Sequence, residues 1–266
     1  MSSPATNVQL CELSLTLDQA WRDLYTTAFP LNEQEPESKL QNLITSGRLL
    51  YHKTSGKHGE LLCFSMVSLA PDFSFLAYIA TDPNQRSGGY GSKHMRALLD
   101  YLKQRYPSHI GLFLEIESTN PRLIKLAEED KKVRQRRLGF YRRLGAKRLC
   151  REMHYLAPSR TGSGETELDI LFFNSSDQPL DHSGKAKIVS EIYERFYELQ
   201  PGDPLVSKVL PKLTSCSHPK CEDEPADSSG SGTDSTASTA DPTAKVDAPA
   251  ASAPTVPTDH GTEAAK

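Results

Sequence analysis

The chain has 266 residues, with 31 Lys and Arg against 34 Asp and Glu, 37% hydrophobic and 24% charged, so no global charge steers it to nucleic acid. The near-balance hides a division: residues 215–266 hold three lysines against nine acids and no Leu, Ile, Met, Phe, Trp or Tyr. So little to bury does not offset the entropy of ordering, and this stretch is expected to be a disordered acidic tail. Residues 1–214, with 28 basic and 25 acidic groups, form a body of single-domain size.

Met1 to Asn7 is polar, with no basic region leading into an apolar run, and nowhere do about 18 apolar residues follow one another, so neither leader nor membrane span is expected. An odd set of cysteines, Cys11, Cys63, Cys150, Cys216 and Cys221, does not read as a disulfide frame. A reducing cytoplasm is the expected home.

Taken in order, Leu10 to Leu15 alternates as a first strand. Leu17, Ala20, Trp21, Leu24, Tyr25 and Ala28 recur at helical spacing until Pro30, and Leu40, Leu43 and Ile44 mark a second helix between Pro36 and Gly47. Arg48 to Lys53 and Leu61 to Leu69 are short apolar runs joined by a glycine-containing hairpin, and Phe73 to Thr81 is a third strand after the turn at Ala70-Pro71-Asp72. From Ser92, Met95, Leu98, Leu99, Leu102 and Tyr106 return to helical spacing; Leu112 to Glu117 is a strand, a polar loop starts at Ser118, and a charged helix ends at Arg143-Leu144-Gly145. Ala146 to Leu156 and Leu168 to Phe173 read as strands, and Ile188 to Leu199 as a helix. The expected class is mixed α/β (α+β), a mixed sheet covered by helices.

The informative stretch is Asp82-Pro83-Asn84-Gln85-Arg86-Ser87-Gly88-Gly89-Tyr90-Gly91-Ser92, a strand end passing through glycines into a helix. A helix N-terminus offers amide N–H groups and a positive dipole end, and glycine lets a phosphate oxygen reach the backbone. A plain glycine turn capped by Ser92 is the bland alternative. The spelling is not a Walker loop, since Gly91-Ser92-Lys93-His94 lacks Gly-Lys-Ser/Thr, and it is not a dinucleotide fingerprint, since position 94 is His.

Arg86-Ser87-Gly88-Gly89-Tyr90-Gly91 spells Arg-x-x-Gly-x-Gly between a strand and a helix, which resembles motif A of the GNAT superfamily of N-acetyltransferases. Downstream, Arg137-Leu138-Gly139-Phe140-Tyr141-Arg142-Arg143-Leu144-Gly145-Ala146 resembles motif B of the same superfamily. The resemblance spans about residues 8–156. It implies a splayed central sheet flanked by helices. The expected organisation is a core of residues 1–156, an appended strand and helix in residues 157–214, outside the shared core and packed on it, and the tail of residues 215–266.

The resemblance further implies acetyl-CoA as cosubstrate and no metal. The diphosphate falls to Arg86, Ser87, Gly88, Gly89, Tyr90, Gly91 and Ser92, and the pantetheine arm to the backbone of Ile79, Ala80 and Thr81, lying like an added strand where the third strand parts from Leu112 to Glu117. An amide near Ile79 or Ala80 then polarises the thioester carbonyl. The implied reaction is attack of a primary amine, borne by a small molecule or a peptide, on the thioester. Tyr141 matches the residue that protonates the departing thiolate. The amine must lose a proton to a base or a water chain, and alternation puts Glu115 and Glu117 on one strand face as candidate bases, Glu117 preferred; the bland alternative for both is a solvated or ion-paired strand face. A family Asn usually stands about two helical turns before the motif B tyrosine. Here Asn120 is 21 residues before Tyr141, so no role passes to it.

A different class stays open: an acyl-CoA-binding sensor or assembly module without catalysis. The appended element either lines the acceptor cleft or forms a homodimer contact. The run Lys131, Lys132, Arg134, Arg136, Arg137, Arg142, Arg143, Lys147 and Arg148 is expected to be a solvated helix face; without aromatic stacking platforms it does not favour nucleic acid. Cys216, His218 and Cys221 lie too close together, with no fourth partner, to be expected to hold zinc. His94 is expected to be exposed.

Overall fold

The computed structural model describes residues 8–85, 88–119, 127–150, 155–158, 165–176 and 180–214, at Asn32 the backbone alone. Its elements are β1 (Gln9–Ser14), α1 (Gln19–Ala28), α2 (Glu37–Thr45), β2 (Leu49–Ser55), β3 (Leu61–Leu69), β4 (Ser74–Thr81), α3 (Tyr90–Arg105), β5 (Gly111–Glu117), α4 (Glu128–Arg143), β6 (Lys147–Arg148), β7 (Tyr155–Pro158), β8 (Glu165–Asn174), α5 (His182–Phe196) and α6 (Pro204–Thr214). Local chemistry sets most of the ends. Asp18 caps α1 by accepting from the Trp21 amide at 2.8 Å, and Pro30 follows its last turn. At the end of α4, Gly145 takes φ 98°, and the Ala146 amide returns to the Tyr141 carbonyl at 3.0 Å.

The strands form one mixed sheet in the order β1-β2-β3-β4-β5-β8-β6, with β7 also paired to β8. β2, β3 and β4 form the antiparallel meander that the hairpin signals predict, and β1 joins its outer edge, antiparallel to β2. The β4–β5 pair is parallel and short: Ser74 faces Leu112, Phe75 faces Phe113, and the pairing stops there. Beyond that point each strand keeps only its outer neighbour, β4 with β3 and β5 with β8. A bulge accompanies the separation, because Val67 pairs with Leu76 and Met66 with Tyr78, leaving Ala77 as the extra residue of β4.

The two faces of the sheet carry different helices. On one, α3 and α4 bury Met95, Leu98, Leu138 and Tyr141 against Leu76, Ile79, Leu114 and Ile116. On the other, α1 and α2 cover Phe64, Met66 and Tyr78, while α5 and α6 cover Phe73, Phe75, Phe113, Ile170 and Phe172.

The sheet does not stop at residue 156. β8 lies inside it, paired with β5 from Gly111–Asn174 to Glu117–Leu168 and with β6 and β7 on its other edge. An apolar strand buried between two neighbours gives no sign in sequence of which strands flank it. The expected single strand from Ala146 to Leu156 is two pieces, β6 and β7. Helix α6 was not expected, although Pro204 at its first position and Leu205, Val206, Val209 and Leu213 at helical spacing spell it. No helix among the described residues is long and apolar enough to cross a membrane.

The end of α5 sits over the point where β4 and β5 part. Phe196 stacks on Phe75, centroids 4.5 Å apart at 20°, and meets Phe73 edge-on. Phe196→Ala is expected to lower stability by about 3 kcal/mol, read as an earlier urea midpoint at unchanged slope; a change within ~0.5 kcal/mol would show that α5 does not brace this point.

Candidate functional site

The parting of β4 and β5 leaves Leu76–Thr81 and Leu114–Glu117 with no strand between them, a slot whose walls are peptide edges. Ile79 points to the α3 and α4 side and Ala80 to the α1 side, both fully buried. Thr81 ends β4, and the turn from Pro83 leads to the glycines. Gly88 donates to the Gln85 carbonyl at 3.3 Å, and Gly89 takes φ 70°, a left-handed conformation that costs glycine nothing.

Helix α3 starts at Tyr90, two residues earlier than expected, so Ser92 lies inside its first turn rather than capping it. The Lys93 amide donates to the Gly89 carbonyl at 3.0 Å, which is the first full helical bond. The amides of Tyr90, Gly91 and Ser92 therefore have no partner within the helix. Gly91 is fixed sterically: a Cβ there would stand 2.9 Å from Thr81 Oγ1. Arg86 and Ser87 lie outside the described residues, as do Asn120, Cys216, His218 and Cys221.

Tyr141 of α4 is fully buried, in the same core cluster as Leu76 and Ile79 of β4 and Leu114 and Ile116 of β5, its ring edge-on to Phe173 of β8 at 6.5 Å. Its hydroxyl has no hydrogen-bond partner among the described residues. Burial raises its pKa above the ordinary phenol range, opposed by the Arg137 guanidinium one turn earlier, so the phenol keeps its proton. Arg137 in turn pairs with Glu117, the last residue of β5. Tyr141, Arg137 and Glu117 thus come together, while Glu115 goes elsewhere. It faces α5, 1% exposed, accepting from the Tyr155 hydroxyl at 2.5 Å and the Tyr197 hydroxyl at 2.6 Å. Alternation places both carboxylates on one face, but at the strand's end the Glu117 side chain is taken by α4. Nothing in the sequence marks Tyr155 and Tyr197, 40 and 82 residues from Glu115, as its partners.

The basic run is not only a solvated face. Lys131 and Lys132 pair with Glu128 and Glu129 at its start, but Arg134 donates to the Ser118 carbonyl at 2.9 Å, and Arg148 pairs with Asp169 at 2.9 Å and bonds Thr119. These contacts tie the α4 region to the ends of β5 and β8.

Beneath the first turns of α3 lies a buried polar patch, and here the expectation for His94 is overturned. His94 is fully buried, its Nδ1 2.8 Å from Thr54 Oγ1 and its Nε2 2.8 Å from Ser65 Oγ. The signal was present: position 94 precedes the buried Leu98 and Leu102 by one and two turns. Next to it His52 is fully buried, its ring edge-on to Tyr101 at 4.6 Å and neither ring nitrogen hydrogen-bonded among the described residues. Burial pulls the pKa of His52 down to about 4 and, with His52 beside it, that of His94 to about 3, while burial pushes the Cys11 and Cys63 thiols up to about 12. These groups are neutral core members. Among the described residues, no group of three or more His, Cys, Asp or Glu side chains is arranged to hold a metal ion.

Comparison with known proteins bears on this geometry. Residues 18–130 match the model of the acetyltransferase (GNAT) family. YjbC of Bacillus subtilis (strain 168), an acetyltransferase by name, is 25% identical over 154 residues, 58% of this chain and 70% of that protein. A solved structure from Bacteroides thetaiotaomicron, a GNAT-family acetyltransferase by name, superposes with a TM-score of 0.52 at 21% identity, covering 67% of this chain and 90% of its own.

The buried imidazoles set a pH response. A histidine with an ordinary pKa near 6.5 takes up a proton in the unfolded chain that His52 and His94 refuse when folded. Stability from this source is complete above about pH 6.5 and is lost as pH falls toward 4. Urea midpoints measured from pH 7.5 to 4.5 are expected to fall across that window, and less steeply in His52→Leu, which deletes one titrating ring and two unsatisfied buried nitrogens. Equal slopes in both proteins would remove His52 from this account.

Proposed function

From the premise that the chain carries a domain of the GNAT acetyltransferase family, we propose that it transfers an acetyl group from acetyl-CoA to a primary amine borne by a small molecule or a peptide. The observation that carries this reading is the Tyr141 hydroxyl: a protonated phenol, fully buried in the core that β4 and β5 share on the α3 and α4 side, with no hydrogen-bond partner among the described residues. A buried hydroxyl left so is costly unless a ligand completes it.

The cosubstrate fits the residues present. The left-handed Gly89, where a side chain would meet nothing within 4 Å, and the first-turn amides of α3, seated close on the sheet because Gly91 has no Cβ to meet Thr81, suit a diphosphate, and the peptide edges of Ile79, Ala80 and Thr81 suit an extended amide-containing arm. Acetyl-CoA supplies an activated acyl group as a thioester. The amine nitrogen bonds to the acyl carbon as the carbon–sulfur bond breaks; the nitrogen gives up one proton, and the sulfur takes one. Tyr141 is assigned to the sulfur, since a phenol with a reference pKa of about 10 can protonate a thiolate whose own acid lies near 8.5. A backbone N–H near Ile79 or Ala80 is assigned to the carbonyl oxygen. Of the two carboxylates, Glu117 is assigned to the acceptor's proton, because it stands with Tyr141 through Arg137. Glu115 is assigned to holding α5 by its bonds to Tyr155 and Tyr197.

A screen of amines monitored by thiol release separates the enzyme from a sensor that binds acyl-CoA without reaction: the enzyme releases coenzyme A only with an acceptor present, the sensor with none. Tyr141→Phe is expected to lower kcat by about 10²-fold with the calorimetric affinity for coenzyme A near its original value; lost affinity with turnover intact would refute the role. Glu117→Gln is expected to reduce kcat/KM at pH 7 and less at pH 9.5, where more of an amine with a pKa of about 10 is already neutral. A loss independent of pH would assign Glu117 to anchoring Arg137 instead.

A further inference from the structure

The helix end assigned to the diphosphate rests on a row of small polar side chains that runs across four strands. Thr54 of β2 pairs with Cys63 of β3, and Cys63 pairs with Thr81 of β4. Cys11 of β1 joins the row at its outer end, its amide donating to Thr54 Oγ1 at 3.0 Å from a left-handed backbone of φ 52°. At the inner end Thr81 Oγ1 bonds Cys63 Sγ at 3.4 Å and stands where a side chain on Gly91 would have to go. Three residues beyond Gly91, His94 drops onto the same sheet face and bonds both Thr54 and Ser65.

The first turns of α3 are therefore held at two places. Gly91 lies against Thr81, and the imidazole spans β2 and β3. The neutral ring has one donor and one acceptor, and both are used. A hydrophobic side chain at position 94 would fill the space but leave the two hydroxyls without this partner and the helix free to slide or roll on an apolar contact. The amides of Tyr90, Gly91 and Ser92 sit within one turn of that contact, so their aim depends on it.

We propose that His94 is a positioning residue for acetyl-CoA: it seats the first turns of α3 on the β2–β3 surface and so fixes the backbone donors that receive the diphosphate. This rests on the acetyl-CoA reading above. It requires no contact between His94 and the cosubstrate, since the ring is buried on the far side of the helix's first turn, within bonding distance of Thr54 and Ser65.

The test is calorimetric binding of coenzyme A to the full chain. His94→Leu is expected to weaken that affinity by about tenfold, the scale on which small misplacements of a preorganised site act. His94→Gln, whose neutral amide again offers one acceptor and donors, is expected to recover most of it. Pantetheine, which lacks the diphosphate, is expected to bind His94→Leu and the unaltered protein equally; an equal loss with both probes would make the effect a general loosening of the fold and overturn the proposal. A folded His94→Leu with unaltered affinity for coenzyme A would overturn it too. If that variant does not fold, Ser65→Ala, which removes only one of the two bonds, is expected to give a partial loss of about threefold for coenzyme A and none for pantetheine, and an unaltered coenzyme A affinity there has the same negative meaning. Failure of the unaltered protein to bind coenzyme A would instead strike the acetyl-CoA reading, leaving the two outcomes distinguishable.

Discussion

Everything in this molecule is arranged around the two residue pairs at which β4 and β5 meet. Ser74–Leu112 and Phe75–Phe113 are the whole of that parallel contact. Parallel strands that separate so soon would expose peptide groups on both edges, a cost that is bearable only if each strand is held firmly on its outer side. Here β4 has β3, and β5 has β8 along its full length. The bulge at Ala77 adds local twist to β4 just where it turns away. Phe75 and Phe113, the last partners, are pinned from one face by Phe73, Phe172 and Phe196.

The separation divides the sheet's faces into two chemical environments. On the α3 and α4 side lie the glycine-led helix end, the Tyr141 phenol and the Glu117–Arg137 pair. On the other side, α5 closes over the same point and is tied to β5 by Tyr197 and Glu115 and to β7 by Tyr193, whose hydroxyl donates to the Leu156 carbonyl at 2.6 Å. The residue after Tyr197, Glu198, takes φ 54°, and burial raises its carboxyl pKa, partly offset by Lys39 and Arg48. The C-terminal helices α5 and α6 thus share a core with Phe75 and Phe113 of the sheet, even though the family match ends at residue 130.

Buried polar groups mark the places where this architecture demands a fixed geometry. A carboxylate 1% exposed is tolerable because two phenols donate to it. His94 is tolerable because two hydroxyls flank it, whereas His52 among the described residues meets the edge of Tyr101 and no hydrogen-bond partner. A satisfied buried network of this kind selects one arrangement of helix on strand, where apolar contact alone would permit several. That the His94 network lies directly under the first turns of α3 gives it a consequence beyond packing.

Periodicity and turn chemistry were enough to place the meander, the helices α1 to α5 and the glycine turn before α3, because each of these is a local matter of apolar spacing, proline and glycine. The motif spelling around Gly91 and Tyr141 likewise named the two segments that come together. Pairing was not legible. The position of β8 between β5 and β6, the clamp of Tyr155 and Tyr197 on Glu115, and the diversion of Glu117 to Arg137 join residues from 20 to 82 positions apart. An amino-acid pattern states which face of an element is apolar. Only the assembled sheet decides which element covers that face, and with it which carboxylate pairs with Arg137 of α4 and which is buried under a helix.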